Sequence, residues 1–489
     1  MIQLTKGGDV LPETFEEWVE IHGEPDYIGE EEYHELDIKI IKPDTKEPVY
    51  DTSILMDMKA NGDIKINYTM FVDYYKNQYK CVYSNGTFYS PDGMISPMKI
   101  RQDIYNMITE GGWTSKGDTP TTSILNSLKD KSHVDSLSIK ENAIPVANGT
   151  IYINKDGWEF YEGERKPAPY RLSVNFNPNP RPMPLFSKWL NDLFNEEDII
   201  TIQEIMGYCL LPTTFAQEAF FLVGEGGAGK SGLGTILEGI MGNAYIPINT
   251  QELFSGRFGM SSLENKLIAY DDDLGSGALT ETGNFKKLIT ADQKISAERK
   301  FGDPYDFRPY CRLIACTNFM IRSLYDDSEG FYRRLHPIHV KPPEPNRKHI
   351  RGFYKMILEQ EKESIFSWAL EGLHRVMDNG WCIHWSKRSR VYMSQFKSEG
   401  THFPDFIEDT CEFSEDAQSS TAELKRVYKN WCRENAITPA SDRRLEKWLG
   451  DNCEKYKIKR DKHIKRGNKD IRGYKGLSIK PEWNNDINF

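Results

Sequence analysis

Three short apolar runs, each ending in a glycine or a polar residue, mark the middle of the chain: "AFFLV" before Gly224, "LIAY" before Asp271 and "RLIACT" before Asn318. Uninterrupted runs of this length suit strands of a parallel sheet buried on both faces, with helices between them. Upstream, "DIKINYTMF" and "NGTFYSPDG" suggest short strands and turns, and "MKIRQDIYNMI" reads as helical. "IPVANGTIYIN" followed by "WEFYEGE" predicts paired strands around an Asn-Gly turn. "LFSKWLNDLF" places Phe186, Trp189, Leu190 and Leu193 on one helical face. A further helical segment covers roughly 350–378. Near the end, Leu424, Val427, Tyr428 and Trp431 recur at i, i+3, i+4 and i+7, and Leu445, Trp448 and Leu449 share a second face. The stretch "YKIKRDKHIKRGNKDIRGYKGLSI" then alternates strand-like residues with bases around a Gly467-Asn468 turn. Both stripes read as core.

These patterns predict a multidomain α/β protein in five parts. They are an acidic arm (1–60), a mixed α/β N-terminal domain (61–200), a parallel-sheet domain (201–345), a helical linker (346–400) and a C-terminal domain (401–489). Two helices followed by a basic hairpin make the last a winged helix-turn-helix. No internal repeat breaks this order.

Charge changes the picture at the two ends. The 489 residues carry a net charge of −11, which spread evenly would argue against a nucleic-acid partner. Residues 1–60 hold 16 Asp and Glu against 5 Lys and Arg, whereas residues 421–480 hold 18 Lys and Arg against 8 acids. Residues 455–475 alone carry ten bases against two acids, a density suited to phosphate contacts and counterion release. Nothing at the start reads as a signal peptide, and no apolar run approaches the ~18–20 residues of a membrane helix. The eight cysteines are scattered without a C-x-x-C pair, as expected of reduced thiols in a cytoplasmic protein rather than a zinc site.

The chemistry concentrates behind the apolar runs. In "FLVGEGGAGKSGLGTIL", Gly224, Gly229, Lys230 and Ser231 fall on the P-loop spacing directly after a strand and before a helical pattern. Backbone amides of Gly224, Gly226, Gly227, Ala228, Gly229, Lys230, Ser231 and Gly232 are the expected cradle for the phosphates of ATP. Lys230 reaches the β- and γ-phosphates and Ser231 ligates Mg²⁺. In "LIAYDDD", Asp271 is assigned to the Mg²⁺ shell and Asp272 to activation of water, with Asp273 able to shift that register by one. Asn318 orients the attacking water, and Arg333 and Arg334 in "GFYRRLHPI" are candidates for an arginine supplied to a neighbouring subunit. "KISAERKFGDPYDFRP" reads as a hairpin with Arg299, Lys300 and Phe301 near its tip, cations and an aromatic suited to single-strand phosphates and bases. Arg443 and Arg444 begin the would-be recognition helix, and Lys465 and Arg466 lie in the basic wing.

The order of P-loop, acidic strand end, basic hairpin and Asn-ended strand, within about 95 residues from Gly224 to Asn318, resembles the superfamily 3 helicases, AAA+ ring motors of viruses, phages and plasmids. "IPVANGTIYI", "WLNDLFNEEDIITIQEIMGYCLLP" and "FFLVGEGGAGKS" extend the similarity to the phage, plasmid and poxvirus-type primase–helicase family, over roughly residues 80–345. More narrowly, the chain resembles the Rep initiator helicases of staphylococcal pathogenicity islands and related mobile elements. The resemblance implies an AAA+ core, a hexameric ring, ATP-driven 3′-to-5′ translocation on single-stranded DNA, Arg333 as the trans finger, and binding of duplex origin DNA through the C-terminal domain. Two features depart from the family. Asp272 stands where a Glu is common, which leaves the general base open among Asp271–Asp273. The segment before the shared region is too short for a fused primase, so a separate primase is the expected partner. Two alternatives stay open: an ATP-dependent origin-binding switch without processive unwinding, and an AAA+ remodeller of protein partners.

Overall fold

The computed structural model describes residues 38–42, 56–58, 64–110, 120–135, 137, 142–154, 157–256, 259–275, 282–298, 304–318, 320–321, 328–343, 350, 352–399, 403–435, 439–440, 442–466 and 469–484. The chain divides into two units, Met1–Tyr392 and Met393–Phe489.

In the first unit, strand β1 (Ile38–Ile41) lies within the acidic stretch, where its three isoleucines stand apart from the charges around them. β2 (Met56–Met58) and β3 (Ile64–Ile66) form an antiparallel pair, and β4 (Val82–Ser84), β5 (Thr87–Ser90) and β6 (Gly93–Ile95) a small meander. Three helices, Tyr68–Tyr79, Pro97–Glu110 and Thr121–Ser132, close a core over these strands. Ile100, Ile104 and Ile108 recur every four residues and pack with Phe71, Val72, Ile124 and Leu128. β7 (Ala143–Val146), β8 (Gly149–Asn154) and β9 (Gly157–Glu162) follow as a second meander, and β1 adds to it in parallel with Ile38 opposite Trp158. The expected acidic arm therefore contributes an edge strand. Buried Arg171 ties the two meanders, donating to the carbonyls of Pro91, Val146 (2.6 Å) and Gly149 (2.9 Å).

The central sheet contains β10 (Ala219–Val223), β11 (Tyr245–Pro247), β12 (Ile268–Leu274), β15 (Arg312–Thr317) and β16 (Leu335–His339). Its order is β11-β12-β15-β10-β16 and all pairs are parallel. Every residue of β10 and β15 is buried, which is why their sequences run apolar without alternation. Between β12 and β15 stands a separate antiparallel pair, β13 (Ile295–Ala297) and β14 (Tyr305–Phe307).

Two expected boundaries are not boundaries of packing. One continuous core runs from Ile144 to Ile383, so residues 143–200 share it with the central sheet. The presumed linker holds the helix Phe353–Asp378, which buries Ile357, Ile365, Phe366, Leu370, Leu373 and Val376 in that same core. It crosses the helix Glu196–Tyr208 with backbones nearly touching. A Cβ on Gly207 would lie 2.2 Å from Leu373 N, and one on Gly372 would lie 2.2 Å from Gln203 O. Across this contact Glu204 accepts from Arg375 Nε at 2.8 Å and from His384 N at 2.6 Å. Glu361, buried on the same helix, accepts the amides of Leu185 and Phe186 at 2.8 Å each and so caps the helix Pro184–Leu193.

The second unit begins within the helix Lys387–Glu399 and continues with the helix Phe403–Thr410, β17 (Cys411–Ser420), helices Thr421–Glu434 and Asp442–Asp451, and a hairpin of β18 (Lys459–Arg466) and β19 (Lys469–Ile479). Its antiparallel sheet has the order β17-β19-β18. Ser420 and Glu423 form a capping box at the start of Thr421–Glu434. Leu424, Val427, Tyr428 and Trp431 pack with Leu445, Leu449, Tyr474 and Leu477. The helices and hairpin stand where the sequence pattern puts them. β17 is additional, and its "EFSED" stretch is exposed at every residue with an irregular register between Phe413 and Gln418, so it carries no alternation to read. No helix among the described residues is long and apolar enough to cross a membrane.

The close crossing gives a direct prediction. Gly207→Ala should lower the thermal midpoint, by the equivalent of about 2–3 kcal/mol of overpacking. Gly283→Ala, where a Cβ meets nothing within 4 Å, should leave it unchanged or slightly raised. Differential scanning calorimetry of the two variants checks both outcomes.

Candidate functional site

The site forms at the carboxyl ends of β10, β12 and β15, where loops leave a parallel sheet and ligands ordinarily bind. Gly224 extends the β10 ladder by donating to Thr317 O at 3.1 Å. The loop then turns through Gly227 (φ +79°) and Gly229 (φ +99°), conformations that side chains other than glycine rarely adopt. A Cβ at Gly226 or Gly227 would meet nothing within 4 Å, so the concave face of the loop is open. Among the described residues, the amides of Gly226, Gly227 and Gly229 meet no backbone acceptor. The amide of Gly232 is already engaged, donating to Gly229 O at 3.2 Å, and Ser231 begins the helix Ser231–Met241 with its side chain exposed.

Lys230 sits at the centre of this loop and is only 9% exposed. Its Nζ donates to Gly224 O at 2.5 Å, Glu225 O at 2.8 Å and Asn318 Oδ1 at 3.3 Å. Burial lowers its pKa, against the opposing pull of Cys316, Asp273 and Asp272. Beneath it, Tyr270 Oη donates to Lys230 O at 3.2 Å and lies 3.0 Å from Cys316 Sγ. Burial raises Tyr270 well above the usual phenol range and Cys316 to about 12, so both remain protonated and the carboxylates supply the negative charge.

The three aspartates divide their tasks by strand face. Asp271 is buried, and its carboxylate accepts Thr250 N at 2.7 Å and Asp273 N at 3.3 Å, which anchors the start of the helix Thr250–Ser255. It faces away from Tyr270, whose ring fills the space a Cβ on Gly234 would occupy. Asp272 and Asp273 are exposed at the strand end, beyond the point where the β12 register shifts, and theirs are the carboxylates that act on Lys230. Asp271, assigned to the metal shell, holds Thr250 N and Asp273 N in this structure, and the two exposed carboxylates follow it in the strand.

The loop therefore brings Lys230 to Asn318, with Asp272 and Asp273 exposed at the end of β12. Arg333 and Arg334 are not brought to it. Ala219 N donates to Arg334 O at 2.8 Å, which places both arginines at the opposite end of β10 from the loop. At about 3.3 Å per residue, that strand separates them by roughly 15 Å. Arg333 is exposed, whereas Arg334 is buried and its guanidinium turns back to Gly330 O. The expected hairpin exists as β13 and β14, with Ile295 opposite Phe307, but Arg299, Lys300 and Phe301 lie outside the described residues. Arg443 and Lys465 are exposed on the helix Asp442–Asp451 and on β18, where Arg444 and Arg466 also stand in the chain.

Sequence reasoning did not single out Tyr354. Its ring lies where a Cβ on Gly232 would be, 2.3 Å from Cε1, and its hydroxyl is 3.4 Å from Gly229 O. The signal was the glycine itself, since a glycine in a helix often marks a close neighbour.

These features fit a polyphosphate. Open amides at a helix N-terminus, glycines in left-handed conformations and a buried lysine make an anion cradle. Among the described residues no group of three His, Cys, Asp or Glu side chains could hold a metal ion alone. A Mg²⁺ ion here would lean on the phosphates of its ligand and on one or two carboxylates, its common mode.

A family model described as a family of unknown function (DUF5906) matches residues 222–334, the stretch from the loop to the arginine pair. A protein of Acanthamoeba polyphaga mimivirus named "Putative helicase L207/L206" is 27% identical over 142 residues, 27% of this chain and 14% of its own length. The chain thus spans a small part of that curated relative. Among solved structures, the apo C-terminal region of NrS-1 (305–718) overlaps 85% of this chain and 100% of its own, at a TM-score of 0.46 and 13% identity. The JCV helicase overlaps 43% of this chain and 62% of its own, at 0.25 and 12%. Both scores are low, and the fold is read from the chain itself.

The division among the aspartates predicts opposite stability effects. Asp271→Ala should cost about 1–3 kcal/mol by stranding the Thr250 amide, while Asp272→Asn should stay within about 0.5 kcal/mol of the parent. Thermal denaturation of the two variants side by side distinguishes them.

Proposed function

We propose that the chain is an ATP-driven DNA helicase of the superfamily 3 kind, with an AAA+ core. The observation that carries this reading is the convergence on one loop of a buried Lys230, an Asn318 amide touching it, and strand-end carboxylates from a third parallel strand. The similarity of 142 residues to a protein named a putative helicase supports the same reading.

The open amides of Gly226, Gly227 and Gly229 hold the phosphates of ATP. Lys230 exchanges the carbonyls of Gly224 and Glu225 for phosphate oxygens and keeps its contact with Asn318. Ser231 and Asp272 hold Mg²⁺, which when bound offsets charge on the transferred phosphoryl group. Asp273 orients the attacking water and takes its proton, and Asn318 aligns that water. Asp271 stays with Thr250.

Because Arg333 lies at the far end of β10, it serves the neighbouring subunit of a ring, here a hexamer. The segment between β13 and β14, which contains Arg299, Lys300 and Phe301, grips single-stranded DNA during 3′-to-5′ translocation. The second unit acts as a winged helix on duplex origin DNA through Arg443, Arg444, Lys465 and Arg466. The cellular setting is the cytoplasm, the role that of a Rep-like replication initiator of a mobile element, and a separate primase makes the primers.

Strand displacement on a forked duplex with a 3′ tail tests the proposal. ATP-dependent displacement is expected, with Lys230→Ala and Asp272→Asn each losing at least about 100-fold in hydrolysis. DNA-stimulated hydrolysis without displacement would replace the motor with an origin-binding switch, and hydrolysis indifferent to DNA would remove the helicase reading. Mixing Arg333→Ala subunits into the parent ring should depress hydrolysis more steeply than their mole fraction. A strictly proportional decline would show that Arg333 does not act in trans.

A further inference from the structure

The N-terminal module carries a groove that the motor does not use. It is open, has a volume of about 800 Å³, and lies between the C-terminal end of the helix Tyr68–Tyr79, strand β6 and the start of the helix Pro97–Glu110. Arg165, from the segment after β9, closes one side. A groove of this size is within the range of ligand sites.

Its walls are aromatic. Tyr75 and Tyr79 stand with ring centroids 4.4 Å apart and planes tilted by 32°, forming one continuous surface. Tyr75 is buried, while Tyr79 is 39% exposed and Met94, also in the lining, 54%. These are not isolated surface residues. Of the eleven exposed large hydrophobics among the described residues, six (Tyr68, Met70, Tyr79, Met94, Met98 and Tyr105) fall in this one module. Two of them, Tyr79 and Met94, line the groove.

The rim carries three cations and two acids. Lys80, Lys99 and Arg165 line it against Asp92 and Asp103, and both acids are already bridged, by Arg165 and Lys99 respectively. Lys80 holds a left-handed backbone (φ 45°, ψ 36°) at a helix C-cap, where glycine or asparagine is favoured.

Exposed ring faces beside cations suit a ligand that alternates π-surfaces with negative charge. A duplex keeps its bases stacked and cannot offer those surfaces, whereas an unpaired strand can. We propose that this groove binds single-stranded nucleic acid, with a base against Tyr79 and Met94 and the flanking phosphates on Lys80, Lys99 and Arg165. The site would hold a single strand at a distance in sequence from the β13–β14 hairpin. This inference rests on the reading of the chain as a single-strand motor.

The test uses the full-length chain and a fluorescein-labelled oligothymidylate, read by anisotropy across a salt series. Tyr79→Ala should weaken binding at least about fivefold, and Tyr79→Trp should preserve or strengthen it, because stacking and not the hydroxyl carries the contact. Lys80→Gln should reduce the slope of log affinity against log salt by about 0.7, the loss of one phosphate contact. An oligonucleotide bearing 5-iododeoxyuridine should photo-crosslink to Tyr79. Basal ATP hydrolysis and the melting temperature should not change, since Tyr79 and Lys80 are exposed and lie outside the glycine-rich loop. Unchanged affinity in Tyr79→Ala, an unchanged salt slope and crosslinks confined to other residues would overturn the groove as a strand site and leave the motor reading intact. A parent chain that binds no single strand would overturn both.

Discussion

The close seating of the helix Phe353–Asp378 on the glycines of two other helices is the constraint on which the first unit depends. Gly207 and Gly372 let it touch the helix Glu196–Tyr208 backbone to backbone, and Gly232 and Gly239 let Tyr354 and Leu358 lie against the helix that follows the glycine-rich loop. A side chain at any of these positions would force the helices apart. The buried polar groups depend on the same approach. Glu361 reaches the amides of Leu185 and Phe186, and Glu204 and Gln203 receive Arg375, only because the helices are this close. Moving the helix would leave buried charges without partners, a cost larger than that of a lost apolar contact.

The same helix joins the scaffold to the chemistry. Tyr354 covers Gly232 and approaches Gly229 O, so the loop is backed by a rigid element on one side and by Tyr270 on the other. Between these walls the loop keeps its concave face open, and Lys230 is held by carbonyls and an amide oxygen instead of a carboxylate. A lysine paired with neutral acceptors keeps its charge for an incoming anion. The acidic groups stand at the strand end, near enough to act on Lys230 yet exposed, as ligands for a hydrated cation need to be.

Much of this was legible in the sequence because it rests on local patterns. The P-loop spacing, the apolar runs of β10, β12 and β15, and the Leu424–Trp431 stripe each declare themselves within a few residues. What was not legible depends on long-range geometry. Three consecutive aspartates look equivalent in the sequence, and only the facing of Tyr270 and the register shift after Asp271 separate a structural carboxylate from two at the site. The helix Phe353–Asp378 reads as a linker because Glu359, Glu361, Lys362 and Glu363 interrupt its apolar face, and Glu361 is buried only by virtue of the helix end it caps. β1 hides in an acidic stretch because a parallel edge strand needs only its isoleucines. Tyr354 lies more than a hundred residues from the loop it covers, and no spacing rule reaches that far.

The central claim is that this loop is a nucleoside triphosphate site whose turnover is coupled to a single strand. The most direct measurement is the steady-state rate of ATP hydrolysis by the full-length chain as single-stranded DNA is titrated in, with Mg²⁺ present and then chelated. The account predicts a rate that climbs to a plateau with the strand and disappears on chelation. Hydrolysis that is absent, or that proceeds at one rate with and without the strand, would contradict it.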